Sequence, residues 1–312
     1  MPGAYAHLTM VNSFKTPQSL EAVQGLPPDK ALQVTRRTKF VELGSVSPDY
    51  PYLSVMDDDA KVWADAMHYT NVGDRLKAGI EVLRDLAPPV QDKAFAWLLG
   101  FSSHIAMDLT IHPIVELKVG EYAENAAEHR TCEMNQDVFI FDKMNFGPLG
   151  FAEFIDFGIG RCNAPGDDEL IDPDIKQIWM EMLQRTSPAE VLEETPPDMD
   201  KWHRRFRTMV DDIAEETQRL PAIARHALAG TGAAYPTLEE VDDTFIIGLE
   251  TPDGGRIDYE QLFDKAQGSV AHLWSLVARG AFGIDNEYET AIHNWNLDNG
   301  RRPDGTLEFW RS

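Results

Sequence analysis

The stretch FAWLLGFSSHIAMDLTIHPIVELKVG, from Phe95 to Gly120, constrains this chain more than any other part of it. It reads as a long, mostly apolar helix beginning near Gln91. Pro113 marks its limit or a kink, and a proline pushes the residue before it out of the α region, so His112 is expected at that bend. Yet the row carries His104, Asp108 and His112, each four residues after the last. Positions i and i+4 lie ~40° apart on one helix face. A helix buried on that face has little use for three titratable groups unless something binds them.

The following segment, AEHRTCEMNQDVFIF, repeats the spacing with His129 and Glu133. Imidazole nitrogen mixed with carboxylate oxygen is the ligand set of zinc and similar divalent ions. A single His/Asp pair on a helix is more often a hydrogen-bonded core pair or an exposed i,i+4 contact. Two such pairs on consecutive helices, with His112 between them, shift the balance to metal. Five of the nine histidines (His7, His68, His104, His112, His129) fall in the first 130 residues.

Helical signals dominate the rest. TPQSLEAVQG has a cap, an early proline and a glycine stop, and PPDKALQVTRRTKFVELG is expected to form one helix ending at Gly44. SVSPDYPYLS reads as a proline-punctuated loop that holds Asp49. DDDAKVWADAMHY opens with acids suited to a helix N-terminus and carries His68, and VGDRLKAGIEVLRDLAPP closes at Pro88 and Pro89. Beyond Gly147 come DIKQIWMEMLQRT, DKWHRRFRTMVDDIAEETQRLPAIARHALAG and DYEQLFDKAQGSVAHLWSLVARGAF, with loop-like joins and a short hairpin around TFIIGLETPDGGRIDY. Alternating strands and helices are absent, so the expected class is all-α, a multi-helix bundle. The organisation expected is a single large helical domain over 1–312, with a metal-binding core in 1–145 and a helical extension in 146–312 that walls the cleft.

A net charge of −24, from 52 acidic and 28 basic residues, disfavours nucleic acid as a partner and docking on anionic lipid. TRRTK, Thr35 to Lys39, is the basic cluster nearest the site residues in sequence. The start MPGAYAHLTMVNSFKTP has no basic n-region or apolar h-region, and no apolar run is expected to cross a membrane. With two cysteines, Cys132 and Cys162, there is no disulfide framework, so a cytoplasmic location is expected. Cys132 reads as a packed thiol. His203 and His226 read as surface groups and His272 as a satisfied core histidine; His293 neighbours aromatics, and lining a substrate cleft is the minority reading for it.

The segments HLT, GSVSPDYPYL, MHY, GFSSHIAMDLTIHP and EHRTCE follow the order and spacing of the zinc-dependent phospholipase C family over roughly residues 1–145. The resemblance implies the helical fold that this family shares with single-strand-specific zinc nucleases, and two or three zinc ions. It implies that one zinc takes Asp49, His68, His104 and a bridging Asp108. A second takes His112, His129 and Glu133. A third takes His7, the other oxygen of Asp108 and the chain's own amino terminus. In the family that terminus is characteristically a tryptophan; here the chain begins Met-Pro-Gly, and loss of Met1 would leave the Pro2 amine five residues before His7. Tyr50 corresponds to a family residue that lines the headgroup site, whereas Asp65 stands where the family has an aromatic.

Three divalent ions need carboxylates to neutralise them, and Asp49, Asp108 and Glu133 supply these. A bridging carboxylate holds two ions close, as two-metal phosphoester hydrolysis requires. Asp49, on its proline-fixed segment, is the candidate catalytic residue that orients or deprotonates an attacking water. The leading expectation is therefore a metal-dependent phosphoric ester hydrolase acting on a phosphoester small molecule or phospholipid headgroup. Two alternatives stand beside it: a metal-stabilised helical scaffold or binding protein without hydrolytic activity, and a nuclease-like phosphodiesterase. No His-Asp doublet of the HD phosphohydrolase kind occurs in the chain.

Overall fold

A computed structural model describes residues 3–21, 23–53, 57–144, 158–208 and 235–310. The architecture is all-α, as expected from the sequence. In order, the N-terminal helices are α1 (Ala4–Ser13), α2 (Pro17–Glu21), α3 (Pro28–Arg36), α4 (Thr38–Val46), α5 (Asp58–Tyr69), α6 (Val72–Asp85), α7 (Val90–Val119) and α8 (Tyr122–Lys143). There follow α9 (Pro173–Thr186), α10 (Ala189–Glu194), a helix α11 that covers 199–208, α12 (Tyr259–Ala281) and α13 (Tyr288–Ala291). The described strands are two short antiparallel hairpins, Asn163–Ala164 with Asp167–Ile171 and Leu249–Glu250 with Arg256–Ile257. The second is the hairpin expected from TFIIGLETPDGGRIDY.

Helix α7 is the axis around which the others pack. All of its residues from Ala94 to Val115 are buried. It runs unbroken through Pro113 rather than ending there, so His112 stays in helical register with His104 and Asp108. An 18-residue window of α7 has mean hydropathy 1.3, enough by length and composition to cross a membrane, which amends the reading that no apolar run approaches a span. Every residue of that window lies inside the fold, and the helix serves as a core.

Gly44 does not stop a helix. The expected single helix breaks instead at Arg37 (φ −118°, ψ 24°), and Gly44 lies inside α4. Its role is contact: a Cβ on Gly44 would lie 2.0 Å from the Trp97 carbonyl oxygen, and one on Gly100 would lie 2.0 Å from that of Val41. The backbones of α4 and α7 thus meet directly, which sets the segment after α4 close to the polar row of α7. That segment, Ser47–Leu53, is a 3-10 helix rather than an open loop. On the far side Trp274 of α12 donates its Nε1–H to the Leu99 carbonyl (2.7 Å). The apolar core is continuous from Ala6 in α1 to Leu297 near the C-terminus.

Several histidines sit elsewhere than expected. His203 is fully buried rather than on the surface. His272 is exposed rather than in the core, because the apolar stripe of α12 passes beside it. His226 lies outside the described residues.

Candidate metal centre

Five elements bring one side chain or more each to a single buried locus. The 3-10 helix supplies Asp49, α1 His7 and α5 His68; α7 supplies His104, Asp108 and His112; α8 supplies His129 and Glu133. The C-terminal loop supplies backbone only. His7, His68, His104 and Asp108 have no exposed surface, and His112 and His129 have 1%.

The imidazole rings are oriented from behind by backbone carbonyls. Nδ1 of His68 faces Ala64 O at 2.7 Å, Nδ1 of His104 faces Ser45 O at 2.9 Å, and Nδ1 of His112 faces Leu297 O at 2.5 Å. A carbonyl only accepts, so each of these nitrogens carries the proton, and in the neutral ring Nε2 is left as a lone pair aimed inward. His129 uses the opposite edge: its Nε2 faces Gly120 O at 2.6 Å, which turns Nδ1 inward. Gly120 can present that carbonyl because it ends α7 at φ 92°, a conformation suited to glycine.

The inward atoms then crowd one another. Nε2 of His68 and Nε2 of His104 are 3.3 Å apart, and Asp49 Oδ1 is 3.3 Å from the first and 3.8 Å from the second. Asp108 offers Oδ2 to His104 Nε2 at 3.3 Å and Oδ1 to His7 Nε2 at 3.4 Å. Glu133 Oε1 is 3.9 Å from both His112 Nε2 and His129 Nδ1. Two groups, His7/His104/Asp108 and Asp49/His68/His104, have ligating atoms all within 4.8 Å of one another.

Those separations suit a tetrahedral metal ion. Four ligands at zinc distances of about 2.0–2.1 Å define a tetrahedron whose edge is about 3.3–3.4 Å. Most of the measured separations match that edge. Asp49 Oδ1, both oxygens of Asp108, both ring nitrogens of His7 and Nε2 of His112 are buried with no hydrogen-bond partner. Buried polar atoms in native proteins are almost always satisfied. Lone pairs facing lone pairs across 3.3 Å are repulsive unless a cation lies between them. The donors are nitrogen and oxygen, and carboxylates balance the charge, so the residues present fit zinc.

The protonation pattern agrees. Burial alone would lower the pKa of His104, but the carboxylates of Asp108 and Asp49 outweigh it and push it up to about 9. Burial pushes Glu133 up to about 7 and lowers His7, His112 and His129. Burial would raise Asp49, but the charges of His104 and His68 hold it below the usual carboxylate range. Without a cation, a proton on His104 partly meets the charge of the two acids.

Tyr50 and Asp65, the two candidate substrate-binding residues, lie in different settings. Tyr50 turns away from the locus into the core, with no exposed surface, stacked on Phe206 at 4.6 Å between ring centroids. Its neighbour Asp49 faces inward, and the tight 3-10 turn points successive side chains apart. Tyr52, two residues after Tyr50, does lie beside a ligand, its ring 5.2 Å from that of His68. Asp65 is at the rim, accepting from Tyr52 Oη at 3.0 Å and from Lys61 Nζ at 2.6 Å. His293 is half-buried beside Trp295.

Asp137 was not singled out from the sequence. It accepts from the backbone N–H of Ala6 (2.9 Å) and Tyr5 (3.3 Å) and from the Tyr235 hydroxyl (2.9 Å). A residue of α8 thereby caps the N-terminus of α1 and fixes the helix that carries His7. Gly3 makes room for it, since a Cβ there would lie 1.8 Å from Asp137 Oδ2. The signal was available: Asp137 follows Glu133 by four residues and extends the His129–Glu133 row. The amino terminus expected at this locus lies outside the described residues.

A family model described as zinc-dependent phospholipase C matches residues 6–188, more than half of the chain. Comparisons with curated proteins and with solved structures returned no match.

Proposed function

The chain belongs to the zinc-dependent phospholipase C family, and from that premise we propose that it hydrolyses phosphodiesters with two or three zinc ions in the buried locus. The observation that carries this reading is the set of convergent, unpartnered nitrogen and oxygen atoms at tetrahedral-edge spacing. Asp49, His68, His104 and Asp108 Oδ2 would hold one ion. His112, His129 and Glu133 would hold a second. His7 and Asp108 Oδ1 would contribute to a third.

Bound zinc would polarise a phosphoryl oxygen and bring the pKa of a coordinated water towards ~7. The remaining work falls to the chain. The carbonyls of Ala64, Ser45, Leu297 and Gly120 keep the four rings in one tautomer and one orientation. Asp108, through its two oxygens, fixes the spacing between His104 and His7. Asp49 has 17% of its side chain exposed, while its Oδ1 is buried among the histidines. It is the most exposed of the proposed ligands, and its lowered pKa keeps it ionised near neutrality. It is thus placed to accept a hydrogen bond from an attacking water and orient it. Such an open edge is what separates a catalytic zinc site from a closed structural one.

On this reading the substrate is a phospholipid or a small phosphodiester. The net charge of −24 disfavours a nucleic acid polyanion. Tyr52 and Asp65 stand on the His68 side of the locus, where a headgroup would meet them.

The test is hydrolysis of bis(p-nitrophenyl) phosphate and of phospholipid in mixed micelles, with phosphomonoester release followed. Activity should vanish on chelation, return with zinc, and fall by about a hundred-fold in Asp49→Asn with zinc retained. Zinc-loaded protein that turns over no phosphoester would instead establish a scaffold.

A further inference from the structure

We infer that the C-terminal loop, residues 292–310, is a strap that positions two of the candidate zinc ligands, His68 and His112, through the backbone of Leu297. It rests on the zinc reading above but goes beyond the family match, which ends at residue 188.

Leu297 makes two bonds in opposite directions. Its N–H donates to the His68 carbonyl at 2.9 Å, and its carbonyl accepts from His112 Nδ1–H at 2.5 Å. The first bond caps α5 at its end, where His68 O is among the last four carbonyls that lack an intrahelical donor. The second fixes the tautomer of His112 and leaves its Nε2 free for a ligand role. One residue therefore ties a ligand on α5 to a ligand on α7. Its own side chain is fully buried, so the backbone has one setting.

The strap is held where α7 is weakest. Pro113 has no N–H, so Leu109 O loses its i+4 donor within the span of the ligand row, between Asp108 and His112. Gly300 packs into that break at φ 69°; a Cβ there would lie 2.6 Å from Pro113 Cγ and 2.7 Å from Leu109 O. Asn296 N–H donates to Arg301 O and Gly300 N–H to Asn296 O, at 2.9 and 3.0 Å, which closes the turn that presents Leu297. Further along, Trp310 Nε1–H donates to Thr110 O at 2.8 Å, and Tyr69 Oη donates to Asp298 Oδ2 at 2.8 Å. Contacts to α7 and to the end of α5 thus flank the two Leu297 bonds. A loop recruited only to cover the core would have no reason to spend both backbone groups of one residue on ligand histidines.

The test uses Gly300→Ala, which cannot seat against Pro113, and Trp310→Phe, which removes the indole N–H bond to Thr110 O and leaves a smaller aromatic ring. Gly305→Ala is the control, because Gly305 has a similar φ of 82° and nothing within 4 Å of the added carbon. Zinc per chain, the rate of zinc release to a chromophoric chelator, and the visible d–d spectrum of the cobalt-substituted protein are measured on the full chain, with circular dichroism as the measure of folding. Gly300→Ala should release zinc ten-fold or more faster and shift the cobalt bands with its helical signal intact, in line with the ~10–100-fold effect of outer-shell partners on metal affinity. Trp310→Phe should release a few-fold faster, and Gly305→Ala should match wild type. Wild-type release and spectrum in folded Gly300→Ala would overturn the strap. If Gly300→Ala does not fold, Trp310→Phe decides: wild-type release overturns the strap and faster release supports it. A wild-type chain that takes up no zinc would sink the zinc reading instead, so the two failures are distinguishable.

Discussion

Among the described residues, two regions bury histidine, and they differ in one respect. Behind Tyr50, His203 lies fully buried among aromatic side chains, and both of its nitrogens are answered: Nε2 by Asn163 Oδ1 at 2.9 Å, Nδ1 by the Tyr50 hydroxyl at 3.4 Å. Burial pushes its pKa down to about 4, so it stays neutral. Around Asp108 the histidines are buried just as deeply, but their inward atoms face other lone pairs and carboxylates, and those of His7 and His112 have no hydrogen-bond partner. Burial alone therefore does not mark a metal ligand. What marks it is a buried nitrogen whose outer edge is satisfied and whose inner edge is not. Asp49 and Tyr50, adjacent in sequence, belong one to each region.

The sharpest way to break the comparison is Asp108→Asn. It should cost at least one zinc per chain and lower phosphodiesterase activity by about a thousand-fold, about 4 kcal/mol of transition-state stabilisation, with a helical spectrum like wild type. Unchanged zinc content, by elemental analysis, would place Asp108 with His203 as a structural residue. His203→Ala should do the reverse. It leaves a cavity and two polar groups without partners, so stability to urea should fall by about 3 kcal/mol while zinc per chain holds. Loss of zinc in that variant would erase the distinction between the two regions.

Acidity offers a further division, and its sign follows from the protons that must leave. His104, raised to about 9, and Glu133, raised to about 7, both have to be deprotonated to ligate. Apparent zinc affinity should therefore climb about ten-fold per pH unit from 7 to 9, and more steeply below 7. Competition with a chelator of known pH dependence measures this; a flat profile from pH 6 to 9 would contradict the arrangement of acids around His104. His203, already neutral, should add nothing to the slope. The smallest effect is expected at His272, exposed on α12: His272→Ala should change stability by less than about 0.5 kcal/mol in thermal unfolding and leave zinc untouched.

The i,i+4 rows of α7 and α8 were legible because helix geometry is local: once the segments are helical, His104, Asp108 and His112 must share a face, as must His129 and Glu133. Asp137 obeys the same rule, four residues after Glu133, although the sequence reading did not single it out. Local sterics at Pro113 predict a helix limit or a kink, yet α7, buried on all sides there, continues through it to Val119. Gly44 carried a stop signal that tertiary contact overrode, since glycine serves equally for a helix end and for two backbones in contact. The direction of Tyr50 depended on a single turn type and was not readable from its neighbour.

What the sequence determined by itself was the helical class, the ligand types and the pairs that one helix can place together, because each follows from spacing along a single element. Only the tertiary structure decided that α1, the 3-10 turn, α5, α7 and α8 bring those pairs within one ion's reach. It also decided that Leu297, some 185 residues along the chain from His112, completes their orientation. Backbone carbonyls and N–H groups are the same at every residue, so nothing in the letters says which of them will lie behind a histidine until the chain has folded.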